Sequence, residues 1–232
     1  MRIGIIGAMD VEVELLKQQL KDIQLTIVAG MGFCAGSLGG VDVVVVRSGI
    51  GKVDAAVCAQ VLVDHFAVTA IVNTGIAGSL DDELDIGDLV VSTDCVHHDF
   101  DASGLGYGPG EVPGLGTVGF PASAELRAAA LAAARVVAPE VRAHEGRVVS
   151  GDQFVSDAAQ KRRLVETFGG ACCEMEGAAI AQTAWLNGVP FVVVRAISDK
   201  PGTEGQAADY ATFESAAALH CAKIVSHMVA SL

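Results

Sequence analysis

Short apolar runs punctuated by Gly, Asp or Ser recur along the chain: "RIGIIG", "LTIVAG", "DVVVVRSG", "TAIVNTG", "DLVVSTDCV", "GRVVSG" and "PFVVVRAIS". β-Branched residues dominate them and several are apolar throughout, the pattern of strands covered on both faces. Helical patterns lie between them in "DVEVELLKQQL", "KVDAAVCAQVLVDHF", "SAELRAAALAAARVVA" and "EGAAIAQTAWLNG", and a last helix is predicted from about Asp209 to the end. Strands alternating with helices predict an α/β fold: one domain over residues 1–232, three-layered αβα around a central mixed, mostly parallel twisted sheet. No internal repeat or linker interrupts it. The Gly- and Pro-rich stretch "DASGLGYGPGEVPGLGTVGFP" is long for a connection in a compact domain, so it is expected to be functional or part of an interface.

Composition narrows the class. No apolar run approaches the ~18 residues that span a bilayer. The amino terminus, "MRIGIIGAMD", lacks the length and cleavage pattern of a signal peptide and reads as a first strand in a cytoplasmic protein. Six cysteines show no CxxC and no Cys/His ligand spacing, so they predict buried thiols in a reducing compartment and no metal site. A formal charge of −13 without any basic stripe argues against a nucleic-acid partner. A small neutral or zwitterionic substrate fits better, with no membrane partner.

Two glycine-rich segments bear on nucleotide chemistry. "AGMGFCAGSLGG" begins as GxG, but its third glycine, Gly36, comes one residue late and a strand follows where a phosphate-binding helix would start. It reads as a β-hairpin. "NTGIAGSL" ends an apolar strand, where Gly75 and Gly78 would let backbone approach a ligand, or would simply form a strand-to-helix turn.

Three carboxylates follow apolar strands: Glu12, Glu176 and Asp199. Ligands of open α/β sheets bind outside the carboxyl ends of strands, so these acids could converge on one crevice. Each also has a plain structural use. Glu12 would sit in the first turn of a helix with Asp10 as N-cap, Glu174 and Glu176 would be acids at a helix start, and Asp199 would begin a turn. The final strand, "FVVVRAISDK", weighs against those uses. A guanidinium at Arg195 and a carboxylate at Asp199, four apart and so on one strand face, are costly in a buried strand unless paired or used.

"GIIGAMDVEVELL", "SGIGKVDAA", "NTGIAGSL", "VSGDQFV", "EMEGAAIA" and "VPFVVVRAISD" occur in the order and spacing of the nucleoside phosphorylase/nucleosidase superfamily, which the chain resembles over nearly its whole length. Within it, the resemblance is to nucleosidases acting on 5′-methylthioadenosine and S-adenosylhomocysteine. It implies cofactor-free hydrolysis of the N-glycosidic bond of an adenine nucleoside, 5′-deoxyadenosine among the further candidates. On that resemblance Asp199 is the general acid at purine N7, oriented by Ser198. Glu176, with Met175 alongside, holds the ribose hydroxyls. Glu12 positions and deprotonates water with help from Arg195. Phe154 stacks on the base, the Val155 backbone reads its edge, and Ile50, Ile76 and Tyr210 line the pocket. The resemblance also implies a homodimer in which Leu105, Tyr107 and Pro113 of a neighbouring subunit complete the 5′ pocket.

The chain departs from the family pattern at Ile76, where a small hydroxyl residue is usual, at Leu105, where an aromatic is usual, and at Asp10, more often Glu. Competing readings are a futalosine- or aminodeoxyfutalosine-type nucleosidase, a purine nucleoside phosphorylase of the same fold, and a non-catalytic nucleoside sensor. A phosphorylase would need a cationic phosphate site, and the acidic "GAMDVEVELLK" contains no Arg.

Overall fold

The computed structural model describes residues 1–232. The chain runs β1 (Arg2–Gly7), α1 (Asp10–Gln19), β2 (Lys21–Val28), β3 (Met31–Leu38), β4 (Val41–Arg47), α2 (Lys52–Asp64), β5 (Ala70–Ser79) and β6 (Leu89–His97). After the glycine-rich segment follow β7 (Phe120–Pro121), α3 (Ala124–Val137), β8 (Ala143–Ser150), α4 (Ala158–Phe168), β9 (Gly170–Glu174), α5 (Gly177–Asn187), β10 (Phe191–Asp199) and α6 (Gln206–Ala230).

All ten strands belong to one sheet, ordered β10-β6-β8-β9-β5-β1-β4-β3-β2 with β7 on β6. Because β10 also pairs with β5, strands β10, β6, β8, β9 and β5 close on themselves as a barrel-like ring. The mixed sheet expected from the sequence is present, with parallel and antiparallel pairings equal in number at five each. Every residue of β5 and β10 is buried, which explains the apolar runs Ala70–Val72 and Phe191–Val194 that open them.

Helices cover both faces. One core joins α1, α3 and α6 to the sheet through residues such as Val13, Leu126 and Ile224. The other packs α2 and α5 on the opposite face, with α4 over a smaller cluster around Leu164 and Phe168. "AGMGFCAGSLGG" does form antiparallel hairpin strands. "NTGIAGSL" differs from the turn considered for it, since the strand continues straight through both glycines to Ser79. The last helix starts at Gln206, three residues before the expected point, and the N-cap of α1 is Met9 rather than Asp10. The six cysteines are all free and five are buried. No helix is long and apolar enough to cross a membrane.

Leu62 of α2 seats this helix on β1. It is fully buried, and a Cβ at Gly4 would lie 2.8 Å from its Cδ1, so the missing side chain of one residue makes room for the other. Leu62→Ala is expected to cost about 2–5 kcal/mol in urea denaturation. A cost under ~1 kcal/mol would show that α2 settles into the space instead.

Candidate active site

The strand ends of the ring and of β1 surround a cavity lined by ten of the residues singled out from the sequence: Glu12, Ile50, Ile76, Phe154, Val155, Met175, Glu176, Ser198, Asp199 and Tyr210. The three acids therefore face one space. Phe154 and Tyr210 meet edge to face, with ring centroids 5.5 Å apart, and Phe154 is half exposed at the rim with Ile50. Leu105, Tyr107 and Pro113 do not reach the cavity of their own chain, and Leu105 is 79% exposed.

Glu12 enters the cavity because the first turn of α1 bends it back. Its Oε2 accepts from the backbone N–H of Ala8 at 2.6 Å and of Met9 at 3.0 Å, the reciprocal half of a capping box. Its Oε1 accepts from the Ile76 N–H at 3.1 Å. The residue is thus both a helix cap and a cavity wall. The Ile76 side chain offers no hydroxyl here, but its backbone supplies a donor that any residue at this position would supply. Burial raises the Glu12 pKa, against the pull of Arg195 and of these three donors.

Glu174 and Glu176 straddle the β9–α5 junction. Glu174 Oε2 accepts from the N–H groups of Glu176 at 3.2 Å and Gly177 at 2.8 Å, capping α5, while Ser150 Oγ donates to its Oε1. Glu176 Oε1 accepts from the Gly51 N–H at 2.8 Å, and its Oε2 lies 3.6 Å from Arg195 Nη2. Burial first, then the adjacent Glu174 charge, push the Glu176 pKa up to about 7 against the attraction of Arg195.

Arg195 does not line the cavity, which corrects its expected place beside the water. It lies behind the wall, fully buried, where Nη2 donates to Glu174 Oε2 and, at 2.6 Å, to Asn73 Oδ1. Burial alone would lower its pKa; Glu174, Glu12 and Glu176 together raise it. Gly75 makes this possible. A Cβ there would sit 2.0 Å from Arg195 Nη1 and 2.4 Å from Glu12 Oε1, so the glycine admits protein side chains rather than a ligand.

Arg195 and Asp199 also fail to share a strand face. The β10–β5 register runs Ile197↔Ala77 and then Asp199↔Gly78, so Ser198 is the extra residue of a bulge and the alternation breaks. The bulge turns Asp199 into the cavity while Arg195 stays behind it. Ser198 Oγ donates to Asp199 Oδ1 at 2.7 Å, and Gln206 Nε2 donates to Oδ2 at 2.7 Å. Burial raises the Asp199 pKa and these two donors oppose it. Sequence reasoning missed Gln206 altogether and read Glu174 only as a helix-start acid. The sole signal for Glu174 was its spacing of two from Glu176 after an apolar strand.

Comparison with known proteins places these features in a family. The profile of the phosphorylase superfamily matches residues 2–230. A 5′-methylthioadenosine/S-adenosylhomocysteine nucleosidase of Shewanella frigidimarina is 42% identical over 233 residues, 100% of both chains. The nucleosidase of the same name from Colwellia psychrerythraea, solved with adenine, superposes with a TM-score of 0.94 at 39% identity, covering 99% of this chain and 94% of that one. A futalosine hydrolase of Helicobacter pylori superposes at 0.93 with 32% identity, covering 100% and 98%.

The raised carboxyl groups predict how stability responds to pH. Glu176 rises from 4.5 to about 7, so the folded state holds this proton more tightly than the unfolded one. Its contribution is complete below about pH 4.5 and is lost as pH rises towards 7; Glu12 and Asp199 act in the same direction. In urea denaturation across pH 5 to 8, the stability lost with rising pH is expected to be smaller in Glu176→Gln than in wild type, while His97 and His98, whose pKa burial lowers, act in the opposite direction in both proteins. Equal slopes in the two proteins would refute this.

Proposed function

Since the chain belongs to the phosphorylase superfamily, we propose that it hydrolyses the N-glycosidic bond of 5′-methylthioadenosine and S-adenosylhomocysteine, releasing adenine and a 5-substituted ribose. One observation carries the reading: three carboxyl groups, each with a raised pKa, face one cavity whose rim holds an aromatic pair.

Purine is a poor leaving group until its N7 carries a proton. Asp199 supplies that proton as the N9–C1′ bond breaks, and the bonding electrons leave with neutral adenine. Positive charge develops on the ribose ring, and ionised Glu176 stabilises it while accepting hydrogen bonds from the sugar hydroxyls. Glu12 takes a proton from water as the water oxygen bonds to C1′. Exchange with solvent then restores Asp199 and Glu12. Arg195 holds Glu174 and Glu176 from behind and touches no reacting atom. Phe154 stacks on the base and Tyr210 closes the wall.

Hydrolysis is favoured over phosphorolysis because no Lys or Arg lines the cavity, and Arg195 is committed to Glu174 and Glu176. An anion would be repelled by the carboxylates of Glu12 and Glu176 and by Glu174, which also lines the cavity. Adenine is favoured over a 6-oxopurine because the Val155 carbonyl and Asp199 Oδ2 are both acceptors, which suit an amino group and oppose a carbonyl. We place the enzyme in the cytoplasm, where its free thiols are at home.

Asp199→Asn keeps the shape of the acid but cannot deliver a proton. It is expected to fold normally and to lose about 10²–10⁴-fold in kcat for adenine release from 5′-methylthioadenosine in phosphate-free buffer. Near-normal release by this variant would remove Asp199 from the role, and no release by the wild type would sink the function.

The functional unit is a homodimer. Leu105, Tyr107 and Pro113 sit on a segment that leaves its own cavity, and exposed Ile50, Val53 and Val57 offer apolar surface at and near the α2 end of the rim. Docked on a second copy, the segment would close the 5′ side of the neighbour's cavity, in an interface on the order of 2,000 Å². Light scattering at low micromolar concentration should give twice the chain mass, with specific activity falling on dilution below the dissociation constant. A fully active monomer would overturn the shared site.

A further inference from the structure

Gln206, the first residue of α6, is buried, and its carboxamide makes three hydrogen bonds, two of them to atoms of the cavity-lining residues Val155 and Asp199. Nε2 donates to the Val155 carbonyl at 2.8 Å and to Asp199 Oδ2 at 2.7 Å, and Oε1 accepts from the Gly202 N–H at 3.0 Å. One NH2 group thus already satisfies the two acceptors that the proposed function assigns to the adenine edge. An exocyclic amine on a purine has the same chemistry: a planar NH2 with two donors set about 120° apart. With Ser198 on Oδ1 and Gln206 on Oδ2, both oxygens of Asp199 carry donors, an arrangement that favours the ionised carboxylate over the acid that the reaction needs.

We propose that Gln206 is an internal stand-in for the 6-amino group of adenine, holding the base subsite in the empty enzyme and leaving it when the purine enters. The inference rests on the adenine reading above. The chain is built for such an exchange at this point. Between Asp199 and α6 the backbone passes through Gly202 at φ 78° and Gly205 at φ 92°, two left-handed positions that give the first turn of α6 a pivot at each side of residues 203–204. The rest of α6 is anchored in the core by Cys221, Val225 and Met228, so only its first turn has to move.

An incoming base then competes with an amide that is always present. Two hydrogen bonds, one to a charged group, correspond to about a tenfold weakening of apparent affinity once the new bonds replace the old. The test is Gln206→Met, which keeps length and apolar bulk but has no amide, with Gln206→Ala as a second variant should the thioether pack badly. Titration calorimetry with adenine and steady-state kinetics with 5′-methylthioadenosine are compared with wild type. Adenine is expected to bind about tenfold more tightly, and KM to fall by a similar factor while kcat does not fall. Unchanged or weaker adenine binding in both folded variants would overturn the proposal. So would a fall in kcat at constant KM, which would make Gln206 a positioning residue for Asp199. If wild-type protein neither binds adenine nor releases it, the function itself has failed; wild-type binding with no difference in the variants sinks only the stand-in.

Discussion

The site depends on one guanidinium with no access to water. Arg195 sits in a β-strand buried on both faces and is held by Glu174, Asn73 and, more distantly, Glu176. Burial raises the pKa of both Glu12 and Glu176, and the guanidinium behind them opposes that rise in each. The single cation offsets the burial of Glu12 and Glu176 unequally. Glu174 lies against it and also caps α5, whereas Glu176, further away, remains close to its titration point near neutrality. The pairing therefore ties three things together: the β5–β10 seam where Arg195 faces Gly75, the start of α5, and the charge presented to a substrate.

Much of this was legible in the chain because the signals are local. Apolar runs gave the strands, and the position of Glu12, Glu176 and Asp199 after such runs led to one cavity. The bland and the chemical readings of Glu12 turn out to be the same geometry, since the carboxylate that caps α1 is the one that faces the cavity. Residues that sequence reasoning placed wrongly depend on distant partners. Arg195 meets Asn73 across 122 residues, and nothing near position 195 announces it. The bulge at Ser198 was hidden because its residues read as an ordinary continuation of the strand. Gln206 falls before the predicted start of the last helix, and only the fold brings it to Val155 and Asp199. Closure of five strands into a ring was equally invisible, because the β5–β10 pairing that makes it joins segments far apart in the chain.

The departures from the family pattern have different weights. Ile76 contributes its backbone to Glu12, so loss of a hydroxyl there leaves the carboxylate held. Leu105 is exposed and its effect lies with whatever covers it. Asp10 is outside the cavity and pairs with exposed Arg47 at 3.3 Å, a surface interaction worth ~0–1 kcal/mol.

The ring of strands has a consequence for how the protein is made. Its closing strand, β10, is the last strand synthesised, and it carries both the guanidinium and the acid of the site. While the ribosome is still extending the chain, β5 has neither its β10 neighbour nor the guanidinium that donates to Asn73 Oδ1, and the ends of β5 and β6 remain open edges. Closure waits for contacts between segments more than a hundred residues apart, the kind of topology that folds late and exposes sticky edges meanwhile. A nascent chain that lacks only its final forty residues would hold most of the sheet yet none of the catalytic charge balance.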